Sequence, residues 1–84
     1  MLELSFNQLK KITNGIGKYK DKIFKVTGIS TDTRSLKKGN LFFALTGANH
    51  DGHDFLFQAY KKGACCLILS NTEKKIPNIP YLNF

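Results

Sequence analysis

The sequence lacks tryptophan, has two prolines and one methionine in 84 residues, and contains no apolar run that approaches a membrane span. Its longest, Leu41 to Leu45 and Ala64 to Leu69, fall far short of the ~20 residues a bilayer requires. No secretory leader is expected either, since Glu3, Asn7 and Gln8 stand where a basic start and a long apolar stretch would be needed. The expected location is the cytoplasm, without membrane contact. Cysteine is limited to Cys65 and Cys66. Neighbours on a strand point to opposite faces, so this pair excludes a disulfide framework and reads as reduced, buried and inert. Acidic residues are few, six against thirteen Lys plus Arg, which leaves a net charge of +7. Arginine is scarcer still, because Arg34 alone is not lysine in that basic set. Readers of base edges and phosphates lean on the guanidinium fork, so a lysine-rich surface of this kind reads first as solubility. Repeats, low-complexity tracts and linkers are also lacking, and the length fits one small domain or the leading segment of a longer protein.

What is present is a regular alternation of elements. Ser5 with Gln8 three residues on forms a capping box, Leu4 and Leu9 a hydrophobic staple, and Phe6, Leu9 and Ile12 one apolar face of a short helix stopped at Asn14-Gly15. Ile23 to Ile29 predicts one strand, followed by the polar tract Ser30-Thr31-Asp32-Thr33-Arg34 and a turn at Lys37 to Asn40. Leu41 to Leu45 and Cys65 to Leu69 are continuous apolar runs, which suits strands covered on both faces. Between them Asp51 caps a helix over Gly52 to Lys62, with Phe55, Leu56, Ala59 and Tyr60 as its apolar stripe and Gly63 as its stop. Strand, helix and strand joined this closely make a βαβ unit, and Tyr81 to Phe84 adds a last strand. The expected fold class is α/β: a small open sheet, mostly parallel or mixed, with flanking helices.

Open α/β sheets bind ligands beyond the carboxyl ends of their strands, which points to the loop Thr46-Gly47-Ala48-Asn49-His50. Gly47 and Gly52 have the spacing of a phosphate-binding P-loop, but His53 and Asp54 stand where that motif needs Lys and then Ser or Thr. ATP is therefore not expected here. His50, Asp51, His53 and Asp54 spread around a helix start, so they read as a solvated N-terminus and not as a metal site. In an extended tract Thr31 and Thr33 share one side, with Asp32 and Arg34 paired on the other. Two hydroxyls so placed suit a neutral heterocycle or sugar, although an ordinary turn with a surface salt bridge also satisfies the pattern. No nucleophile, base and orienting acid occur together, and the 84 residues alone are expected to be non-catalytic.

Four segments taken together, Gly28-Ile29-Ser30-Thr31-Asp32-Thr33-Arg34, Lys38 to Gly47, Asp51-Gly52-His53-Asp54-Phe55, and Gln58-Ala59 with Gly63-Ala64, resemble the N-terminal domain of the Mur ligases that build peptidoglycan precursors. With the opening helix the resemblance covers nearly the whole chain. Threonine after Asp32 and the opening Leu4 to Leu9 resemble the members that add D-alanyl-D-alanine more than those that add the third residue. The resemblance implies a domain spanning residues 1–84 of a longer three-domain ligase, monomeric, that binds the UDP end of a UDP-N-acetylmuramoyl peptide. ATP and magnesium would be held in a central domain. Such enzymes phosphorylate a carboxylate and let an amine attack the acyl phosphate. Carried over by position, Thr31 and Thr33 meet the uridine, Ala48, Asn49 and His50 line the nucleotide-sugar site, and Asp32, Arg34 and Gly47 support it. The implied topology places the ends of the strands Ile23 to Ile29 and Leu41 to Leu45 at one sheet edge, which requires them to be parallel. The competing readings are a small lysine-rich module that binds nucleic acid and a domain that has lost its ligand.

Overall fold

Ser5 ends one element and begins the next. The structure is a computed structural model that describes residues 2–17, 19–48, 50–70 and 75–84. Strand β1 (Leu2–Ser5) runs directly into helix α1 (Phe6–Thr13). Ser5 Oγ accepts from the Gln8 amide at 3.1 Å and Gln8 Oε1 accepts from the Ser5 amide at 2.8 Å, so the expected capping box is complete. Asn14 closes the helix in the left-handed region at φ 56°, as a residue with a short polar side chain can.

The expected strand Ile23 to Ile29 is two strands in two sheets. β2 (Ile23–Val26) pairs antiparallel with β1, and β3 (Gly28–Ser30) pairs parallel with β4 (Asn40–Phe43). The break is at Thr27, whose amide donates to the Gly39 carbonyl and whose hydroxyl donates to the Lys38 carbonyl and accepts from Asn40 Nδ2. The turn before β4 thus captures Thr27 and bends the chain out of the first sheet. Gly39 lies over Thr27 at φ 89°, and a Cβ there would stand 2.8 Å from Thr27 Cγ2. Glycine is required on both counts.

Helix α2 (Leu56–Lys61) follows a 3₁₀ turn (Gly52–Phe55) and leads to β5 (Cys66–Leu69) and then β6 (Tyr81–Asn83). The helix expected over Gly52 to Lys62 is therefore tightened in its first turn, where Asp51 caps it through the His53 amide at 2.9 Å. Strands β3, β4, β5 and β6 form one fully parallel sheet in that order. Parallel strands ordinarily need a crossover of a dozen or more residues. Only residues 31–39 join β3 to β4, and Leu36, buried within them, docks the crossover onto the sheet.

The continuous apolar strands have the two covered faces that their composition predicts. Leu41, Cys66, Ile68 and Leu82 pack against Phe6, Leu9, Phe24 and Val26. Phe42, Ala44, Leu67 and Leu69 pack on the other face against Leu36, Leu56 and Ala59. Each fully buried Phe or Leu contributes about 1.5–3 kcal/mol relative to exposure, so this sandwich of sheet between two layers holds the site in place. Ile12 and Tyr60 depart from their predicted apolar faces, at 68% and 47% exposure. Ile12 instead borders an apolar groove of about 510 Å³ with Leu2, Ile29 and Phe43. Cys65 is half-buried, and burial pushes the Cys66 thiol up to about 12 and raises Cys65 as well, which keeps both unreactive at neutral pH. Among the described residues no helix is long and apolar enough to cross a membrane.

Candidate functional site

The parallel register aligns Ser30 at the end of β3 with Phe42 near the end of β4, so the segments leaving these strands emerge side by side. There a cleft of about 320 Å³ is lined by Thr31, Asp32, Thr33, Arg34, Phe42, His50, Phe55 and Gln58. This is the strand-end position favoured by open α/β sheets.

The tract after β3 is a turn and not an extended segment, because its polar groups bond one another locally. Ser30 Oγ donates to the Asp32 carbonyl at 2.8 Å, and the Ser35 amide donates to the same carbonyl at 3.2 Å. The expected pairing of Thr31 and Thr33 on one side is accordingly corrected. Thr31 is exposed in the cleft, whereas Thr33 is 5% exposed and its hydroxyl donates to Gln58 Oε1 at 3.0 Å. The Thr33 carbonyl accepts from the Lys62 ammonium. Lys62 is thus tied to the tract although its backbone lies past the far end of α2, which the sequence reading did not anticipate.

The expected Asp32 and Arg34 pair is formed. Arg34 Nη2 reaches Asp32 Oδ2 at 2.7 Å, Nε contacts both carboxylate oxygens at 3.1 Å, and the Arg34 amide donates to Oδ1 at 2.9 Å. These side-chain and backbone bonds hold the Asp32 carboxyl down to about 2 and raise Arg34. The Arg34 side chain is 89% exposed, so the pair shapes the rim of the cleft more than it holds the fold.

The other lip is the loop from β4 to the 3₁₀ turn. Thr46 and Asp51 form an isolated antiparallel bridge, and the Gly47 amide donates to the His50 carbonyl at 2.6 Å. His50 is presented on the Phe55 ring, centroids 5.4 Å apart and planes within 14°. Gly47 and Ala48 are exposed but do not line the cleft. Asn49 lies outside the described residues. Phe42, Phe55 and Gln58 line the cleft without having been expected there: the two phenylalanines read as core, and Gln58, one helical turn after Phe55, was the available polar signal.

His53 corrects the expectation of a solvated helix N-terminus, since it is 3% exposed. Its Nδ1 lies 2.7 Å from Asp51 Oδ1 and its Nε2 3.0 Å from the Ser70 amide nitrogen. The residues here do not fit ATP. The Gly47 and Gly52 amides, which a phosphate loop would turn toward its ligand, donate instead to the His50 and Leu45 carbonyls. Among the described residues no group of three or more His, Cys, Asp or Glu is placed to hold a metal ion.

Residues 25–83 match the family described as Mur ligase family, catalytic domain. The chain is 38% identical over 84 residues to the UDP-N-acetylmuramoyl-tripeptide--D-alanyl-D-alanine ligase of Haemophilus influenzae, an alignment that covers 98% of this chain and 18% of that protein. It is 40% identical over 58 residues to the UDP-N-acetylmuramoyl-L-alanyl-D-glutamate--2,6-diaminopimelate ligase of Fusobacterium nucleatum, covering 69% of this chain and 12% of that protein. The crystal structure II of MurF from Acinetobacter baumannii superposes with a TM-score of 0.76 at 28% identity, covering 99% of this chain and 18% of that one. The chain spans less than a fifth of the length of these relatives.

Proposed function

Because the chain belongs to the Mur ligase family, we propose that it is the nucleotide-sugar-binding module of an ATP-dependent amino-acid ligase of the cytoplasm. The module takes the UDP end of a UDP-N-acetylmuramoyl peptide, and the whole enzyme adds D-alanyl-D-alanine to it. The near-complete alignment with the Haemophilus ligase and the fold shared with the Acinetobacter structure support that member over the one that adds diaminopimelate.

The observation that carries the reading is the cleft at the carboxyl ends of β3 and β4, lined by Thr31, Thr33, His50 and Gln58 together with Phe42 and Phe55. Uracil offers two carbonyl acceptors and one imide donor, so a selective site must supply both polarities. Thr31 hydroxyl can donate or accept. The Gln58 amide carries both functions, its carbonyl held by Thr33, and the His50 ring stacked on Phe55 brings aromatic surface to the cleft. Asp32 and Arg34 orient the turn, Gly47 gives the opposite lip its close approach, Ala48 belongs to that lip, and Asn49 is assigned to the site by the family resemblance alone. ATP and magnesium are assigned to parts of the ligase outside these residues, and the 84 residues alone, monomeric, bind without catalysing.

A titration of the 84-residue chain with UDP-N-acetylglucosamine at low and high salt tests this reading. Binding through neutral hydrogen bonds and aromatic contact responds weakly to salt. A fall in affinity that tracks the logarithm of salt concentration and is matched by any polyanion supports a nucleic-acid surface instead.

A further inference from the structure

The function assigned above leaves unused the most buried titratable side chain near the cleft. His53 does not line the cleft, yet it stands between its lip and the neighbouring strand. The Ser70 amide must donate, so Nε2 must accept, and the ring hydrogen is left on Nδ1, directed at Asp51 Oδ1 at 2.7 Å. The same Asp51 oxygen accepts from the His53 amide, and the Asp51 backbone bridges to Thr46. A continuous path therefore runs from Ser70, just past the carboxyl end of β5, through His53 and Asp51 to the loop that sets His50 on Phe55.

We propose that His53, as its Nδ1–H tautomer, is a positioning residue that clamps the His50 lip of the cleft to the end of β5. Its two nitrogens do two different jobs. One holds the residue that closes the lip, and the other anchors that residue to the sheet. A single hydrogen bond would fix either the cap or the anchor, but not the position of one relative to the other. Dispensing with either half should free the lip while the two apolar clusters keep the sheet intact. The consequence for ligand binding rests on the nucleotide-sugar reading, whereas the clamp itself does not.

The test splits the two jobs. In His53→Asn the amide group falls near the place of Nδ1, so the Asp51 contact is retained and the Ser70 anchor is lost. In His53→Gln the amide falls near Nε2, so the anchor is retained and the Asp51 contact is lost. Nitrogen NMR of the wild-type chain is expected to show a protonated Nδ1, an unprotonated Nε2, and a through-bond coupling from Nε2 to the Ser70 amide. Both variants are expected to lose the ring contact between His50 and Phe55 and the exchange protection of the Gly47 amide, while the β4 and β5 amides stay protected. Affinity for UDP-N-acetylglucosamine should fall severalfold in both. An Nε2–H tautomer in the wild type overturns the proposal, and that measurement needs no variant to fold. Retention of the His50 and Phe55 contact in both variants overturns it too. If the wild type fails to bind the sugar nucleotide, the functional reading fails, and the tautomer and ring contact still decide the clamp.

Discussion

The Thr33 hydroxyl donates to Gln58 Oε1 across 3.0 Å, joining the turn after β3 to helix α2. Thr33→Val keeps the volume and removes the donor, so the folded chain should lose about 0.5–1.5 kcal/mol, the net value of a neutral hydrogen bond. Urea unfolding checks this: the midpoint falls with an unchanged slope. Thr33→Ser keeps the hydroxyl donor and should recover most of the loss. Equal midpoints for wild type and Thr33→Val would mean that the turn is held without this bond.

Lys61 and Lys62 are neighbours with different fates. The Lys62 ammonium bonds the Thr33 carbonyl, and no comparable bond involves Lys61 among the described residues. Lys62→Gln should cost about 0.5–1 kcal/mol, reduced from the usual charged-bond value by solvent screening. Lys61→Gln should be neutral within measurement. Identical midpoints for the two variants would contradict the contact.

Gly52 is held by packing and not by a special backbone angle. A Cβ there would stand 2.7 Å from the Leu45 nitrogen and 2.9 Å from the Ala44 Cα, both main-chain atoms that cannot swing away. Gly52→Ala is therefore expected to destabilise by about 1–3 kcal/mol, the usual cost of overpacking, and to shift the amide resonances of Leu45 and His53. Wild-type stability in this variant would show that the 3₁₀ turn moves freely from β4.

Asp32 titrates at about 2 in the folded chain against an ordinary 3.8, first because Arg34 bonds its carboxylate. The folded state binds fewer protons than the unfolded one. Its contribution is therefore complete above the ordinary value and is lost as pH falls through about 2. The group is exposed, so the effect on stability is small and the carboxyl resonance is the better probe. Arg34→Gln should move the Asp32 midpoint up toward the ordinary range, and an unmoved midpoint would assign the shift elsewhere.

Much of the fold was legible because single residues announce it. Ser5 with Gln8, Asn14, Asp51 and Gly63 mark helix ends through local hydrogen bonds or backbone angle, and the unbroken apolar runs mark strands covered on both faces. The parallel relation of β3 and β4 also followed, but from the family resemblance, which requires two loops to meet at one edge, and not from the strand patterns themselves. The break at Thr27 was not legible, since it comes from the Lys38 to Asn40 turn folding back eleven or more residues later in the chain. His53 was misread for a similar reason. Helical spacing says where a side chain starts, whereas burial against Ser70 is decided by the tertiary approach of β5. In the cleft, Thr31, Asp32, Thr33, Arg34 and His50 were legible as a polar concentration, and Phe42, Phe55 and Gln58 were hidden among apolar stripes.

The central claim is that the cleft at the ends of β3 and β4 takes the uridine end of a nucleotide sugar. The measurement that tests it most directly is a chemical-shift titration of the labelled chain with UDP-N-acetylglucosamine, mapped residue by residue. The account predicts that the shifts centre on Thr31, Thr33, His50, Phe55 and Gln58, weaken in Thr31→Ala, and leave Lys10, Lys11, Lys37 and Lys38 unmoved. Shifts centred on those lysine pairs, or spread evenly over the basic surface, would contradict it.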